Sequence, residues 1–232
     1  MYCFNSKVRF SETDENKRLS LTGIIDYFQD CSTFQTEELG VGFSYLEPRG
    51  LTWVLTYWQI VIEEYPRLGE EITVGTLPYD FKSFMGKRNF FLEKDGRKVA
   101  KADSLWILLD LKNLRPMKIP GELLNTYKKE EKLEMDYAPR KITIEGEEKE
   151  QEPVIVQRHH LDCNLHVNNG QYIKITSAYL PANFQVRQLR AEYKNQAHLG
   201  DVLYPCCYIG EDTYTVVLYD EQRQPYVVVE YK

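Results

Sequence analysis

Three polar side chains in the second half of the chain could act together on one substrate. Asp162, Asn164 and His166 alternate within residues 159–172. In an extended loop, side chains at positions i, i+2 and i+4 point the same way, so a carboxylate, an amide and an imidazole would face one spot. A carboxylate can attack a carbonyl or activate water, and an imidazole can transfer a proton. This combination indicates acyl-transfer chemistry.

A predicted helix begins directly after these residues. Asn168 is a suitable N-cap, and Asn169 and Gly170 follow it. Free N–H groups and the positive dipole end at a helix start stabilise a developing oxyanion, so we expect the N–H groups of Asn169 and Gly170 to hold one. Asp and Asn before a helix are also common caps and turn formers, and a histidine there is often only a structural hydrogen-bonder. The residues alone leave the catalytic and the structural interpretation open.

Helices and strands must position these residues. Helical spacing of apolar residues predicts a helix over 19–39, capped by Ser20, and a second over 168–179. Asp95-Gly96 is typical of a hairpin turn. Charge runs between 126 and 150 predict a solvated linker. Alternating apolar residues predict eight strands: 52–63, 71–78, 88–94, 99–109, 185–196, 202–209, 213–219 and 226–231.

The two halves form a degenerate repeat. Each half has a short strand, a D-x-N loop, a long helix and several strands, which is an α+β unit with its helix on one sheet face. His166 corresponds to Arg18 in the first half, so the first half should not catalyse. The matches at an offset of 148 are Val8/Val156, Asp14/Asp162, Asn16/Asn164 and Leu19/Val167, and those at an offset of 131 are Leu68/Leu199, Gly69/Gly200 and Glu70/Asp201.

Composition excludes several classes of protein. The net charge of −6 argues against general affinity for nucleic acid, which needs a cationic surface. No apolar run approaches the ~18 residues of a membrane span, and the N-terminus does not resemble a signal peptide. The five cysteines include no CxxC pair, which favours a reducing, cytoplasmic setting and argues against a structural metal site.

The string L-D-x-N-x-H-V-N-N-x-x-Y, which starts at Leu161, resembles the signature of the acyl-acyl-carrier-protein thioesterases. These plant and bacterial enzymes end fatty-acid synthesis by releasing the acyl chain. The similarity covers nearly the whole chain, and in the first half it rests on Trp53, Tyr65–Gly69, Arg88–Phe90, Ala102–Trp106 and Arg115–Pro116.

The resemblance implies a tandem of two hotdog domains, each a long helix wrapped by an antiparallel sheet. Residues 1–125 would form an N-terminal hotdog with the acyl-chain pocket, 126–150 the linker, and 151–232 the catalytic C-terminal hotdog. Candidates to line the pocket are Phe28, Phe34, Trp53 and Tyr57.

The resemblance also implies roles for individual residues. Asp162, Asn164 and His166 occupy the matched catalytic positions. The family has a further carboxylate where this chain has Gln196, an amide that can orient water but cannot act as a base. The adjacent cysteine of plant relatives is Ala197 here, so no matched cysteine nucleophile exists. Asp162 is then the expected base or nucleophile.

The implied activity is hydrolysis of fatty acyl thioesters of acyl carrier protein, without a cofactor or metal. The partner would be a carrier protein whose phosphopantetheine bears the acyl chain, and hotdog pairing also allows a homodimer. Because that carrier is acidic, a basic docking surface is expected. Its candidates are Arg88, Arg115, Lys118, Arg187, Arg190 and Lys194.

Two alternatives stay open. An acyl-CoA thioesterase of the same fold would share the site but bind an adenine nucleotide. A non-catalytic acyl-binding hotdog protein is the second, because Gln196 replaces the carboxylate. A hotdog dehydratase does not fit the H-V-N-N string, and no helix-turn-helix precedes the hotdog pattern as a transcriptional regulator would require.

Overall fold

The computed structural model describes residues 1–232. The chain forms two compact units, residues 1–56 with 60–137 and residues 57–59 with 138–232. The division after residue 137 falls inside the segment that the sequence predicted as a linker. Each unit has the predicted hotdog-type α+β architecture, a helix and an antiparallel sheet.

The first unit contains α1 and a five-stranded sheet of order β1-β3-β4-β5-β2, with β6 pairing β5. Two further helices, α2 and α3, are short. The elements are β1 (Tyr2–Lys7), α1 (Leu21–Glu38), α2 (Phe43–Leu46), β2 (Leu51–Ile62), β3 (Glu71–Lys82), β4 (Met85–Lys94), β5 (Arg97–Asp110), β6 (Arg115–Pro116) and α3 (Gly121–Thr126).

Helix α1 lies within the predicted range 19–39 and has Ser20 as its N-cap, as predicted. The Ser20 hydroxyl accepts the Gly23 N–H at 3.0 Å, which satisfies one of the free donors of the first turn. Ile24 and Phe28 are fully buried on one side of the helix, and the Phe28 ring lies 5.4 Å from that of Phe90 in β4. Burial of this apolar side holds the helix on the sheet.

The second unit contains α4 and a sheet of order β9-β12-β11-β10-β7, with β8 pairing β10. Its strand pairs are all antiparallel. The elements are β7 (Glu147–Glu150), β8 (Val154–Ile155), α4 (Asn169–Ser177), β9 (Gln188–Tyr193), β10 (Val202–Ile209), β11 (Tyr214–Tyr219) and β12 (Pro225–Tyr231).

The segment 126–150 is mostly exposed, as predicted for a linker, but it is bound to the rest of the protein at two places. In its first half, the Leu133 N–H and the Tyr137 hydroxyl both donate to the Asn89 side-chain oxygen, at 3.0 and 3.1 Å. At its end, Glu147–Glu150 forms strand β7, paired with residues 206–209 of β10. The charged side chains of β7 are exposed, as is common in an edge strand. Their composition is therefore the same as that of a solvated linker, and it did not predict the strand.

Strand β9 is shorter than predicted. It ends at Tyr193, because the N–H groups of Lys194 and Asn195 both donate to the Tyr226 carbonyl and the chain leaves the ladder there. Gln196 therefore lies in an irregular segment and not in a strand.

Candidate active site

The segment that carries the predicted catalytic residues is a tight turn. The Asp162 Oδ1 atom accepts the N–H of Asn164 at 2.8 Å and of His166 at 3.4 Å. The Asp162 N–H donates to the His166 carbonyl at 2.8 Å, and Leu165 has a φ of 62°. The expectation of an extended loop with alternating side chains is therefore wrong. Asn164 is exposed, and only its backbone N–H takes part in the turn.

The first unit contains the same turn, with Arg18 at the position of His166. Asp14 Oδ1 accepts the N–H of Asn16 at 2.8 Å and of Arg18 at 2.9 Å, and Lys17 has a φ of 59°. An aspartate thus closes this turn whether or not a histidine follows. The geometry favours a positioning role for Asp162, with one carboxylate oxygen engaged by the backbone.

A second segment is fixed beside this turn by Ala197. The Ala197 carbonyl accepts the Val167 N–H at 3.0 Å, and its own N–H donates to the Tyr172 hydroxyl at 2.9 Å. Ala197 is buried, whereas Gln196 and His198 on either side are exposed. The backbone thus places both polar residues next to the His166 turn.

His198 is the site residue that the sequence did not reveal. Its ring and that of His166 meet edge to face, with centroids 4.8 Å apart. The backbone N–H of His198 donates to Asp201 Oδ2 at 2.8 Å, and the ring Nδ1 of His198 lies 3.7 Å from the same oxygen. The available signal was the repeat, because the two offsets place His166 and His198 opposite Arg18 and Arg67.

The electrostatics keep His166 uncharged near neutral pH. Burial, followed by the neighbouring His198, lowers the pKa of His166 below its ordinary value of 6.5, and the Asp162 carboxylate opposes this only in part. A neutral imidazole carries one ring nitrogen that accepts a proton and one that donates a hydrogen bond. His166 can therefore serve either role at the reacting centre.

The start of α4 offers less to an oxyanion than expected. Asn168 Oδ1 accepts the Gly170 N–H at 2.8 Å, and the Asn168 carbonyl accepts the N–H of Gln171 at 2.9 Å. The prediction that the Gly170 N–H holds an oxyanion does not fit, because the cap occupies that donor. Asn169 remains a predicted donor, and its carbonyl accepts the Tyr193 hydroxyl at 3.1 Å.

The four predicted pocket residues differ in their surroundings. Phe28 is fully buried, whereas Phe34 is 44% exposed and packs edge-on against Phe4, so Phe34 does not line an interior pocket. Trp53 packs against the buried cluster around Leu108 and Leu123, and its indole N–H is buried without a hydrogen-bond partner. Tyr57 is also buried. Phe28, Trp53 and Tyr57 remain candidates to contact an acyl chain.

Two of the six predicted docking cations are inaccessible. Arg88 is buried in the first unit, where it donates to Gln35 and Thr76, and its burial lowers its pKa. Arg190 is buried in a two-bond ion pair with Glu230, at 2.8 and 2.7 Å. Neither can meet a carrier protein. The remaining four are exposed: Arg115, Lys118, Arg187 and Lys194.

One cluster has the composition of a metal site. Glu148, Glu150 and Cys206 bring their ligand atoms within 4.8 Å of one another. The Arg223 guanidinium contacts all three, reaching the Cys206 sulfur at 3.0 Å and Glu150 at 3.4 Å. The cluster is explained by this ion pair.

The five cysteines are all free. None of the helices is long and apolar enough to cross a membrane.

Comparisons with known proteins agree with the fold. A palmitoyl-acyl carrier protein thioesterase of Arabidopsis thaliana is 25% identical over 86% of this chain and 53% of its own length. The structure of an acyl-ACP thioesterase from Bacteroides thetaiotaomicron has a TM-score of 0.88 at 21% identity, covering 99% of this chain and 96% of that one. A 12:0-ACP thioesterase from Umbellularia californica has a TM-score of 0.83 at 17% identity, covering 100% and 96%.

The family models cover most of the sequence. The acyl-ACP thioesterase N-terminal domain matches residues 1–127, and the acyl-ACP thioesterase C-terminal domain matches residues 143–223. The chain spans about half the length of the curated relatives it matches. With both domain models matched in order, this chain belongs to the acyl-ACP thioesterase family.

Proposed function

We propose that this protein hydrolyses fatty acyl thioesters of acyl carrier protein, releasing a free fatty acid and the carrier thiol. The observation that carries the proposal is the neutral, half-buried His166, held by a backbone turn at the start of α4 in a member of this family. The Arabidopsis and Umbellularia relatives are described as acting on chains bound to the carrier protein.

The chemistry needs water, a base and a group that polarises the thioester carbonyl. The water oxygen bonds to the carbonyl carbon, the C–S bond breaks, and the leaving sulfur takes up a proton. His166 supplies a neutral imidazole at this centre, Asp162 holds the turn that presents it, and the exposed Gln196 amide orients the water. Asn164 is exposed on the same turn and would contact the incoming thioester.

The proposed partner is acidic, and the compartment is reducing. Exposed cations suited to the carrier protein are found in both units, with Arg115 and Lys118 in the first and Arg187 and Lys194 in the second. Five free cysteines support a cytoplasmic location, although the Arabidopsis relative is described as chloroplastic. A homodimer stays a prediction.

The test is hydrolysis of matched acyl-carrier-protein and acyl-CoA thioesters, with saturated and unsaturated chains of several lengths. Fatty acid should be quantified by mass spectrometry, because the exposed Cys3 and Cys163 would react with thiol reagents. Faster release from the carrier protein supports the proposal. A preference for CoA would make the protein an acyl-CoA thioesterase, and binding without release would make it an acyl-binding protein.

A matched pair of variants separates chemistry from folding. His166→Ala removes the imidazole and should lower kcat by ~10²–10⁴-fold, the range for loss of a proton-transfer group. Arg18→Ala changes the equivalent position of the first unit and should leave kcat unchanged. Both positions contribute only backbone groups to their turns, so both variants should fold. Unchanged turnover in His166→Ala would remove this site from the proposal.

A further inference from the structure

His198 is a second imidazole at the candidate site, outside the set of matched family positions. We infer that His198, oriented by Asp201, is the general base of the hydrolysis and takes the place of the carboxylate that Gln196 lacks. This inference rests on the proposed thioesterase activity.

The geometry places His198 where a base is needed. Its ring contacts that of His166 with centroids 4.8 Å apart, and its side chain is 59% exposed, so water can reach it. Gln196, two positions earlier in the same segment, is also exposed and can hold that water. The buried Ala197 between them bonds to the Val167 N–H and the Tyr172 hydroxyl, which fixes the segment.

Asp201 supplies a carboxylate beside His198, the group that orients a histidine acting as a base. Its Oδ2 atom accepts the backbone N–H of His198 at 2.8 Å, and the same atom lies 3.7 Å from Nδ1 of the ring. A carboxylate near Nδ1 favours the tautomer protonated there, which leaves the Nε2 lone pair free. The same carboxylate stabilises the imidazolium that forms when Nε2 takes a proton.

The first unit shows that the fold does not require two histidines here. Arg18 and Arg67, which correspond to His166 and His198, lie side by side as a β-bridge pair. The Pro66 carbonyl accepts the Leu19 N–H, and Glu70 accepts the Arg67 N–H at 2.7 Å, as Ala197 and Asp201 do in the second unit.

One backbone frame therefore presents two guanidinium groups in one unit and two imidazoles in the other. An arginine stays protonated and cannot act as a base, whereas a neutral histidine can. At these two positions the units differ in side-chain chemistry and not in turn geometry.

The proposed step balances in protons and electrons. His198 Nε2 removes a proton from water as the water oxygen bonds to the thioester carbon, and the carbonyl electrons move onto oxygen. His166 donates a hydrogen bond to that oxygen. When the tetrahedral intermediate collapses, the C–S bond breaks, and the His198 imidazolium returns the proton to the leaving sulfur. The products are a fatty acid and a thiol.

Several ionisable groups face this pair and would shape its pH dependence. Asp162 and His166 lie on the turn, and Asp201 follows His198. Tyr226 of β12 donates to Asp201 Oδ2 at 3.4 Å, and Tyr172 of α4 holds Ala197. Burial raises the pKa of both tyrosines, so they stay protonated near neutral pH.

The experiment compares His198→Ala with Arg67→Ala in the full chain. The inference predicts that His198→Ala lowers kcat for acyl-carrier-protein hydrolysis by ~10²–10⁴-fold with KM unchanged, and that Arg67→Ala changes neither. Because the position is exposed, added imidazole should restore part of the kcat of His198→Ala. Asp201→Asn keeps an oxygen for the turn but removes the charge, so it should lower kcat less than His198→Ala does.

A readout independent of turnover is the titration of His166, followed by NMR of its ring. His198 helps to lower the pKa of His166, so that pKa should rise in His198→Ala. This change also reports that the variant is folded with His166 in its turn. If His198→Ala misfolds, His198→Gln, which retains a polar side chain of similar length, takes its place.

The outcomes separate this inference from the proposed function. Wild-type hydrolysis with unchanged kcat in His198→Ala would overturn the role of His198 and leave the thioesterase proposal standing. A large loss of kcat without rescue by imidazole would assign His198 a structural role and would also overturn it. Wild-type protein that hydrolyses neither thioester would overturn both.

Discussion

Replacing Asp162 separates the two roles that a carboxylate could have at this site. Its Oδ1 atom accepts two backbone N–H groups, at 2.8 and 3.4 Å. Asp162→Asn keeps an oxygen at that place and removes only the charge. Asp162→Ala removes both. If Asp162 acts mainly by holding the turn that presents His166, the asparagine variant should retain most of the activity.

The expected cost in stability follows from these two bonds. A hydrogen bond to a charged acceptor contributes about 1.5–3 kcal/mol. The bond at 3.4 Å is long and the residue is half-buried, so we expect Asp162→Ala to lower the free energy of unfolding by about 2 kcal/mol. At about 2–4 °C per kcal/mol for a chain of this size, Tm should fall by about 4–8 °C. Asp162→Asn should cost less than about 1 kcal/mol.

The first unit supplies the control. Asp14 makes the equivalent two bonds at 2.8 and 2.9 Å. Asp14→Ala should therefore destabilise the protein at least as much as Asp162→Ala does, without any direct effect on catalysis. Calorimetry gives Tm for these three variants and for Asp14→Asn, and fatty-acid release from acyl carrier protein gives kcat. The two asparagine variants should resemble each other in stability.

The decisive comparison is the kcat of Asp162→Asn. We expect a loss of less than about tenfold, well below the ~10²–10⁴-fold that removal of a general base causes. A loss in that larger range with an unchanged Tm would show that the carboxylate itself attacks the thioester or activates water. That result would refute the positioning role derived from the shared turn.

Three further predictions concern stability. Burial lowers the pKa of both His160 and His166, so below about pH 6.5 the unfolded chain binds protons more readily than the folded chain does. The free energy of unfolding, measured by urea denaturation at several pH values, should therefore decrease as the pH is lowered. Glu230→Gln leaves the buried Arg190 without its carboxylate and should cost about 3–5 kcal/mol by urea denaturation; a cost below about 1 kcal/mol would contradict burial of the pair. Gly146→Ala should lower Tm, because Gly146 has a φ of 109° and an added Cβ would clash with a main-chain carbonyl of β10; an unchanged Tm would show that β7 can shift.

Local patterns predicted the parts of this fold that depend on local interactions. The Ser20 cap and the buried side of α1 follow from residue types and helical spacing. Asp95 and Gly96 form the predicted turn with φ values of 51° and 73°, as a two-residue hairpin requires. The repeat was visible because both units use the same turn-forming aspartate, at Asp14 and Asp162.

Features set by distant contacts were missed. Glu147–Glu150 is a strand only because β10 offers a free edge. Arg88 was predicted to be a surface cation, but in the fold it is buried and donates to Gln35 and Thr76. The local sequence around His198 did not identify it as a site residue. Its contact with His166 depends on the hydrogen bond between Ala197 and Val167, which are thirty residues apart in the sequence.

The turn aspartate is present in both units, as Asp14 and Asp162. Asp14 and Asp162 close the same turn, so this turn by itself does not distinguish the two units. The paired side chains do differ, because they are arginines in the first unit and His166 and His198 in the second. Because both pairs rest on equivalent backbone hydrogen bonds, substitution at these positions changes the chemistry with little change in the fold. If the second unit alone catalyses, as we propose, we expect that difference to depend on the two imidazoles.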